Sequence, residues 1–311
     1  MYSELFAIFN SVWMIDPSSI QAYIPMFLSF LNGHKMEVPK DSYAAKHPNG
    51  IYTPAQVSTC ATAASAFATA KIKPTTDYSD TEIPENSVAV YPIRGLIRKN
   101  SSWNFSTKRF VQQLQAADNN PNIISHLMLV ETHGGEAAYL EIAGDAVKNT
   151  VKPTVAHIET MCASAGEYLV SGANKIFASS TMDRIGSIGT MLSFLDMDPL
   201  LEKLGAKPHE IYATLSTLKN KYEREVLEGK YENYRTEVLD VYNQAFVDFV
   251  KSCRPNLNTD EKVGVLNGQM FFAPQAIEHG LIDGIASLGE ALETAYKLGI
   301  DHNNVRQFMN A

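Results

Sequence analysis

An α/β fold of parallel βαβ units is predicted by two features of the chain from residue 87 onward. Short apolar runs of strand length recur there (SVAVYPIRGLI, IISHLMLVET, PTVAHIET and NKIFASS), and between them AAYLEIAGDAVKNT and ASAGEYLVSGA carry helical spacing. Apolar runs of this length read as largely buried strands. Strands that alternate with helices imply crossover connections and a parallel sheet.

The remaining elements follow in chain order. Residues 1–35 read as one or two short amphipathic helices, with Asp16-Pro17-Ser18 as the start signal of the second and aromatic side chains suited to packing on the body or a partner. Residues 36–86 are rich in Pro, Thr, Ser and Ala, the composition of a linker or surface excursion, with a short helix expected at the alanine stretch. Residues 87–311 form the main domain. Late in it, residues 220–250 are charged and helical, and Tyr234, Val238, Val241, Ala245 and Phe249 make an apolar stripe. No internal repeat is visible.

Composition narrows the function. A chain of 311 residues, 45% hydrophobic and 19% charged, can bury a full core. Its net charge of -8 gives no basic footprint for nucleic acid or anionic lipid. Cys60, Cys162 and Cys253 lack the paired spacing of a zinc site or a disulfide framework, which implies reduced thiols and an intracellular setting. The first 20 residues have no basic start and their apolar residues are broken by Glu4, Asn10 and Asp16, so neither a secretory signal nor a membrane anchor is expected. Neither HExxH nor paired Cys/His spacing occurs, so no metal or other cofactor is expected.

Four short segments carry chemistry. His133-Gly134-Gly135 follows a strand and precedes a helix, where paired glycines let a carbonyl approach free backbone N–H groups. Ser164 lies among small residues (Cys162-Ala163-Ser164-Ala165-Gly166) at the next strand-to-helix turn. There the helix N-terminus favours a developing oxyanion, although serine at such a turn is also an ordinary N-cap. Arg184-Ile185-Gly186-Ser187-Ile188-Gly189-Thr190 is a glycine-punctuated loop, and Ile211-Tyr212-Ala213-Thr214 reads as a strand leading to Lys219 and Lys221. His133, His157 and His126 are the alternative bases for a Ser-His pair.

Taken in order, Gly-Gly after a strand, Ala-Ser-Ala-Gly-x-Tyr, Gly-Ser-Ile-Gly about twenty residues on, and a lysine after Ile-Tyr resemble the S49 peptidases of the signal-peptide-peptidase A kind. The resemblance runs from about residue 88 to 295, including Gly280-Leu281-Ile282-Asp283 near its end. It implies the ClpP/crotonase-type spiral of βαβ turns and a serine endopeptidase that works through an acyl-enzyme. In the family's terms Ser164 is the nucleophile, Lys219 the general base with Lys221 as its rival, Gly135 and Ala165 the oxyanion donors, and Ser187 the residue that orients the lysine. The chain departs from the family pattern at His133, where many relatives have proline, and at ATLSTLKN, where relatives have a shorter Ser-Gly-x-x-Lys.

A lysine can serve as base only if its pKa falls from about 10.4 to roughly 7 or 8, a cost to the charged form of about 4 kcal/mol that burial can impose. With one βαβ body, the chain resembles half-length members whose serine is served by a neighbour's lysine, which implies a homo-oligomer with a shared site acting on protein or peptide substrates. Trp13 followed by Ile15-Asp16-Pro17 resembles the leader of prophage-encoded head-maturation members, which implies phage capsid or scaffold partners and a cytoplasmic or procapsid location. Two other functions compete: a crotonase-type acyl-CoA enzyme, which would need neither Ser164 nor a buried lysine, and an inactive assembly protein, which an exposed Lys219 would favour.

Overall fold

In chain order the strands are β1 (Val12–Ile15), β2 (Gly50–Tyr52), β3 (Lys73–Pro74), β4 (Ser87–Arg98), β5 (Phe105–Ser106), β6 (Ile123–Glu136), β7 (Thr154–Ala163), β8 (Lys175–Ala178), β9 (Arg184–Gly186), β10 (Met191–Leu192), β11 (Met270–Phe272) and β12 (Gly284–Ile285). The helices used below are α1 (Tyr43–Lys46), α2 (Pro54–Thr62), α3 (Thr107–Asn119), α4 (Leu140–Lys148), α5 (Ala165–Ser171), α6 (Lys221–Leu227), α7 (Asp240–Cys253) and α8 (Leu288–Asn310). This computed structural model describes residues 12–15, 41–62, 73–75, 77–194, 198–203 and 209–310, with single positions at 29, 196, 205 and 207.

The four apolar runs are β4, β6, β7 and β8, and they pair in parallel in that order. Helices α3, α4 and α5 make the connections, so the α/β class and the βαβ units predicted from sequence are both present. Each helix is amphipathic for this purpose. Phe110, Val111, Leu114 and Ala117 form the buried face of α3, and Ser106 caps its start by accepting the Arg109 N–H at 3.3 Å. On α4 the buried face includes Gly144, where a Cβ would stand 2.5 Å from the Tyr168 ring and 2.9 Å from that of Phe249. Tyr168 of α5 stacks on Phe249 of α7 with centroids 4.3 Å apart, which fixes α7 against the helix that follows Ser164.

Three expectations are corrected here. Val12–Ile15 is a strand rather than helix, antiparallel to both β6 and β10; the rest of the expected N-terminal helices, Asp16-Pro17-Ser18 included, lies outside the described residues. Residues 36–86 are not a mere linker. Strand β2 pairs with β4, Ile51, Tyr52 and Tyr78 are buried, and α2 occupies the start of the expected alanine-rich helix. Two tyrosine hydroxyls clasp β4 from this segment: Tyr78 donates toward Gly50 O at 3.0 Å and Val90 O at 2.5 Å, and Tyr43 donates to Pro92 O at 2.8 Å while accepting the Arg94 N–H at 2.7 Å.

The third correction concerns the apolar stripe of residues 220–250. Tyr234 and Phe249 are buried, but Val241 and Ala245 are exposed, and the buried face of α7 is Phe246, Val247, Phe249 and Val250. A π-helical turn at Arg235–Leu239 widens the helix by one residue and so rotates the face beyond it.

Among the described residues no helix is long and apolar enough to cross a membrane.

Candidate active site

The core strands lose regularity together at one end. Strand β4 bulges between Arg94 and Leu96 at Gly95 (φ +69°), and the β6–β7 register jumps between Val130 and Thr132, where Thr160 takes φ 65°. Bulges of this kind re-aim side chains beside active sites. Asp183 braces the second one by accepting from the N–H groups of Thr160, Ser179 and Ser180.

Ser164 sits where β7 ends and α5 begins. Its φ of 56° and ψ of -113° belong to no ordinary region for an L-residue, a conformation that costs roughly 1–3 kcal/mol and persists only when its surroundings enforce it. Enforcement is visible on both sides. The Ser164 N–H donates to Gly186 O at 2.8 Å, and its carbonyl accepts the Tyr168 N–H at 2.9 Å to open the helix. The side chain occupies the N-cap position without making a capping bond; Oγ instead reaches Gly189 O at 3.4 Å, and the residue is only 1% exposed. Capping therefore does not account for this serine.

The double glycine lies directly beside it. A Cβ on Gly134 (φ +102°) would stand 3.0 Å from Ser164 Cβ and 3.0 Å from Ala163 O, while one on Gly135 would collide with Ile97 O at 2.0 Å. Only glycine allows β6 to pass this close to its neighbours. Thr132 fixes the loop: its Oγ1 donates to Gly95 O at 2.5 Å and accepts the Gly134 N–H at 3.0 Å. Ala165, buried, is the first residue of α5, so its N–H belongs to the donors that a helix start leaves unpaired.

Ser187 closes the third side. It follows β9 with φ 56°, is half-buried, and its N–H donates to Gln269 O at 2.9 Å; Gly186 before it leaves no room for a side chain, Gln269 O being 2.5 Å from the position of a Cβ. The loop is thus pinned to the residues that lead into β11, and it presents the carbonyls of Gly186 and Gly189 to Ser164.

Lysine is not gathered into this cluster within the chain. Lys219 is exposed, and among the described residues no hydrogen bond joins it to Ser164 or Ser187. Ile211–Thr214 is not a strand, and Ile211, Leu215 and Leu218 stand 95%, 96% and 73% exposed around it. Lys221 opens α6 and pairs with Glu225 at 3.7 Å. Two of the three candidate histidines lie elsewhere. His126 bonds to Asp118 and to the Tyr91 hydroxyl, and at eight residues before Gly134 on β6 it is roughly 25 Å away. His157 bonds to Ala286 O and precedes Ser164 by seven residues of strand, roughly 20 Å. His133 is exposed.

Two groups near Ser164 escape a reading of motifs. Glu167, one turn into α5, is fully buried, and neither carboxyl oxygen has a hydrogen-bond partner among the described residues. Burial pushes its pKa from 4.5 up to about 8, against the opposing pull of the Arg254 charge and of the Cys162 thiol, a weak donor that is coupled to it without reaching hydrogen-bond geometry. Strand β1 is the other: it lies along Gly134–Glu136 on one side and Met191–Leu192 on the other, at the mouth of the serine turn. Its signal is the run Val12-Trp13-Met14-Ile15, β-branched and aromatic and followed by Asp-Pro, which fits a short strand as well as a helix. Among the described residues no group of three or more His, Cys, Asp or Glu could hold a metal.

The fold thus brings a strained serine at a strand-to-helix turn, the Gly134–Gly135 edge, Ala165 and Ser187 together at one end of a parallel α/β sheet. The family model described as peptidase family S49 matches residues 146–300, and the chain belongs to that family. Its relatives include an SppA-type protein of Enterococcus faecium (27% identical over 203 residues, covering 62% of this chain and 56% of that one) and Protease 4 of Haemophilus influenzae (26% over 219 residues, 68% and 35%). Serine protease SPPA, chloroplastic, of Arabidopsis thaliana is 23% identical over 191 residues (60% and 28%). The chain thus spans between about a quarter and just over half the length of these relatives. Among solved structures, a mutant 1510-N membrane-bound stomatin-specific protease in complex with a substrate peptide aligns over 67% of this chain and 78% of its own (14% identity, TM-score 0.40). An enoyl-CoA hydratase from Polaromonas sp. JS666 aligns over 70% and 74% (15%, TM-score 0.39).

Proposed function

We propose that this chain is a serine endopeptidase that cleaves extended segments of protein through an acyl-enzyme. The observation that carries the reading is the conformation of Ser164: buried, strained, and free of any capping role. In this reading Ser164 Oγ attacks the scissile carbonyl and its proton passes to the base. The N–H groups of Gly135 and Ala165 hold the oxyanion, the base returns the proton to the leaving amine, and water then releases the acyl group.

The base we assign is Lys219, supplied by a neighbouring copy and oriented by Ser187. Exposure of Lys219 together with Ile211, Leu215 and Leu218 supports this, because an apolar segment around a base suits burial against a second protomer. Burial there would also remove the water that keeps a lysine charged. The same exposure favours a second reading, an inactive assembly protein of this fold. The Trp13…Ile15-Asp16-Pro17 leader supports a head-maturation role on phage capsid or scaffold proteins.

Mixing Ser164→Ala with Lys219→Ala chains under subunit exchange tests the shared site, with a fluorogenic peptide as readout. Partial recovery of cleavage is expected. A dead mixture after demonstrated exchange overturns the shared site, and wild-type protein that neither cleaves peptides nor reacts with a fluorophosphonate leaves the assembly reading.

A further inference from the structure

Strand β1 has the geometry of a bound peptide. Its residues run antiparallel between two strands that belong to the serine site, with Trp13 opposite Glu136 and Met191, Met14 opposite Gly135, and Ile15 opposite Gly134. The Ala137 N–H donates to the Val12 carbonyl at 3.2 Å. An antiparallel ladder alternates hydrogen-bonded and non-hydrogen-bonded pairs, so two residues back along β6 the same side of the strand sends the Gly135 N–H to the Met14 carbonyl. That oxygen also lies 2.3 Å from where a Cβ on Gly134 would stand, and Ser164 Cβ lies 3.0 Å from the same point. The Met14 carbonyl and the serine thus converge on Gly134 from two sides.

We propose that the N-terminal segment is a substrate of the chain's own serine site, and that the bond presented is Met14–Ile15. The proposal rests on Ser164 being a nucleophile. Its Oγ attacks the Met14 carbonyl carbon, the hydroxyl proton passing to the base, and the oxyanion rests on the Gly135 N–H that already faces this oxygen. Collapse breaks the Met14–Ile15 C–N bond, and Ile15 departs as an amine after taking the proton. Water then hydrolyses the Met14 ester, which restores the serine and leaves a carboxylate on Met14.

The same pairing describes what the groove selects. Trp13, the residue before the scissile carbonyl, is completely buried, with the Arg98 guanidinium over its ring at 5.5 Å. Arg98 is held in turn by Glu136 through a 3.1 Å bond from Nε. A large aromatic side chain is what this cradle fits, by stacking and by cation–π attraction. Met14 joins the main hydrophobic cluster and is 3% exposed, so the acyl residue is apolar and unbranched. The substrate class is therefore an extended segment with an aromatic residue followed by a long apolar one, recognised by strand addition on both edges.

Intact mass and N-terminal sequencing of the purified full chain, wild type and Ser164→Ala, follow the segment over time. A new N-terminus at Ile15 in the wild type alone is the expected result. In parallel, a peptide of residues 9–20 is offered to the same preparations beside its Trp13→Gly form, and cleavage between its Met and Ile is expected to fall on the order of tenfold or more without the aromatic ring. Fluorophosphonate labelling of Ser164 separates the failures. A chain that labels at Ser164, leaves its own Met14–Ile15 bond intact and does not cut the peptide there overturns the proposal while the peptidase reading stands. Cleavage at another bond overturns the register, and a chain that does not label removes both readings.

Discussion

Replacing Glu167 by glutamine should make the protein more stable at alkaline pH and change it little at acid pH. The carboxyl is fully buried one turn beyond Ser164 with no hydrogen-bond partner among the described residues, and its pKa rises from 4.5 to about 8. A raised folded-state pKa means that the native chain keeps a proton the unfolded chain has lost. Between these two values the unfolded state binds fewer protons, so stability falls as pH rises. The contribution is full below about pH 4.5 and is lost as pH passes through about 8. At about 1.36 kcal/mol per unit, the loss between pH 5 and 8.5 approaches roughly 4 kcal/mol as an upper figure. Glutamine has no proton to lose and nearly the same shape. Thermal melts of wild type and Glu167→Gln across that range isolate this group, since all other titrations are shared. Their midpoints should nearly coincide at pH 5 and part by several degrees at pH 8.5, at about 2–4 °C per kcal/mol for a chain of this order of size. Parallel pH curves for the two proteins would refute a buried, proton-bound Glu167.

Ser164→Ala and Ser164→Gly should both abolish peptide cleavage and fluorophosphonate labelling with the fold retained by circular dichroism. The glycine form should be the more stable by roughly 1 kcal/mol in urea titrations, because alanine keeps the strain of φ 56° and glycine does not. Thr132→Val should lower kcat with little change in KM, as the Gly134 N–H and Gly95 O lose their common partner, and Thr132→Ser should restore the rate. Gly135→Ala should cost about 3 kcal/mol by urea midpoint, because the clash is with the Ile97 backbone and no side chain can rotate away.

The body of the fold was readable in the sequence for a physical reason: buried parallel strands are continuous apolar runs, and β4, β6, β7 and β8 stand out against the helices between them. Local chemistry left Ser164 open between nucleophile and N-cap, and Ser164, Ala165, Gly135 and Ser187 were singled out together by the resemblance to the S49 pattern; the fold gathers them at one end of the sheet. What failed were inferences in which a distant element decides. Four residues at β1 fit helix or strand equally until two sheet edges claim them. Composition marked residues 36–86 as excursion, yet Tyr78 and Ile51 are buried by β4. The stripe on residues 220–250 obeyed a constant helical period that the π turn breaks. Lys219 is exposed, and among the described residues no hydrogen bond joins it to Ser164 or Ser187, so its assignment rests on the resemblance alone.

The tyrosine clasp on β4 bears on whether the chain aggregates as it folds. Pro92 supplies no N–H, and beyond Gly50–Tyr52 the strand has no β2 residue opposite it, so Arg94 satisfies its amide on the Tyr43 hydroxyl. That hydroxyl and α1 shield a stretch that would otherwise be a bare sheet edge, the surface on which chains stack into aggregates. A nick between α1 and β4, or Tyr43→Phe, should thus show itself first as precipitation on refolding rather than as loss of a native activity, and a stretch that composition marks as dispensable becomes the guard of the central sheet.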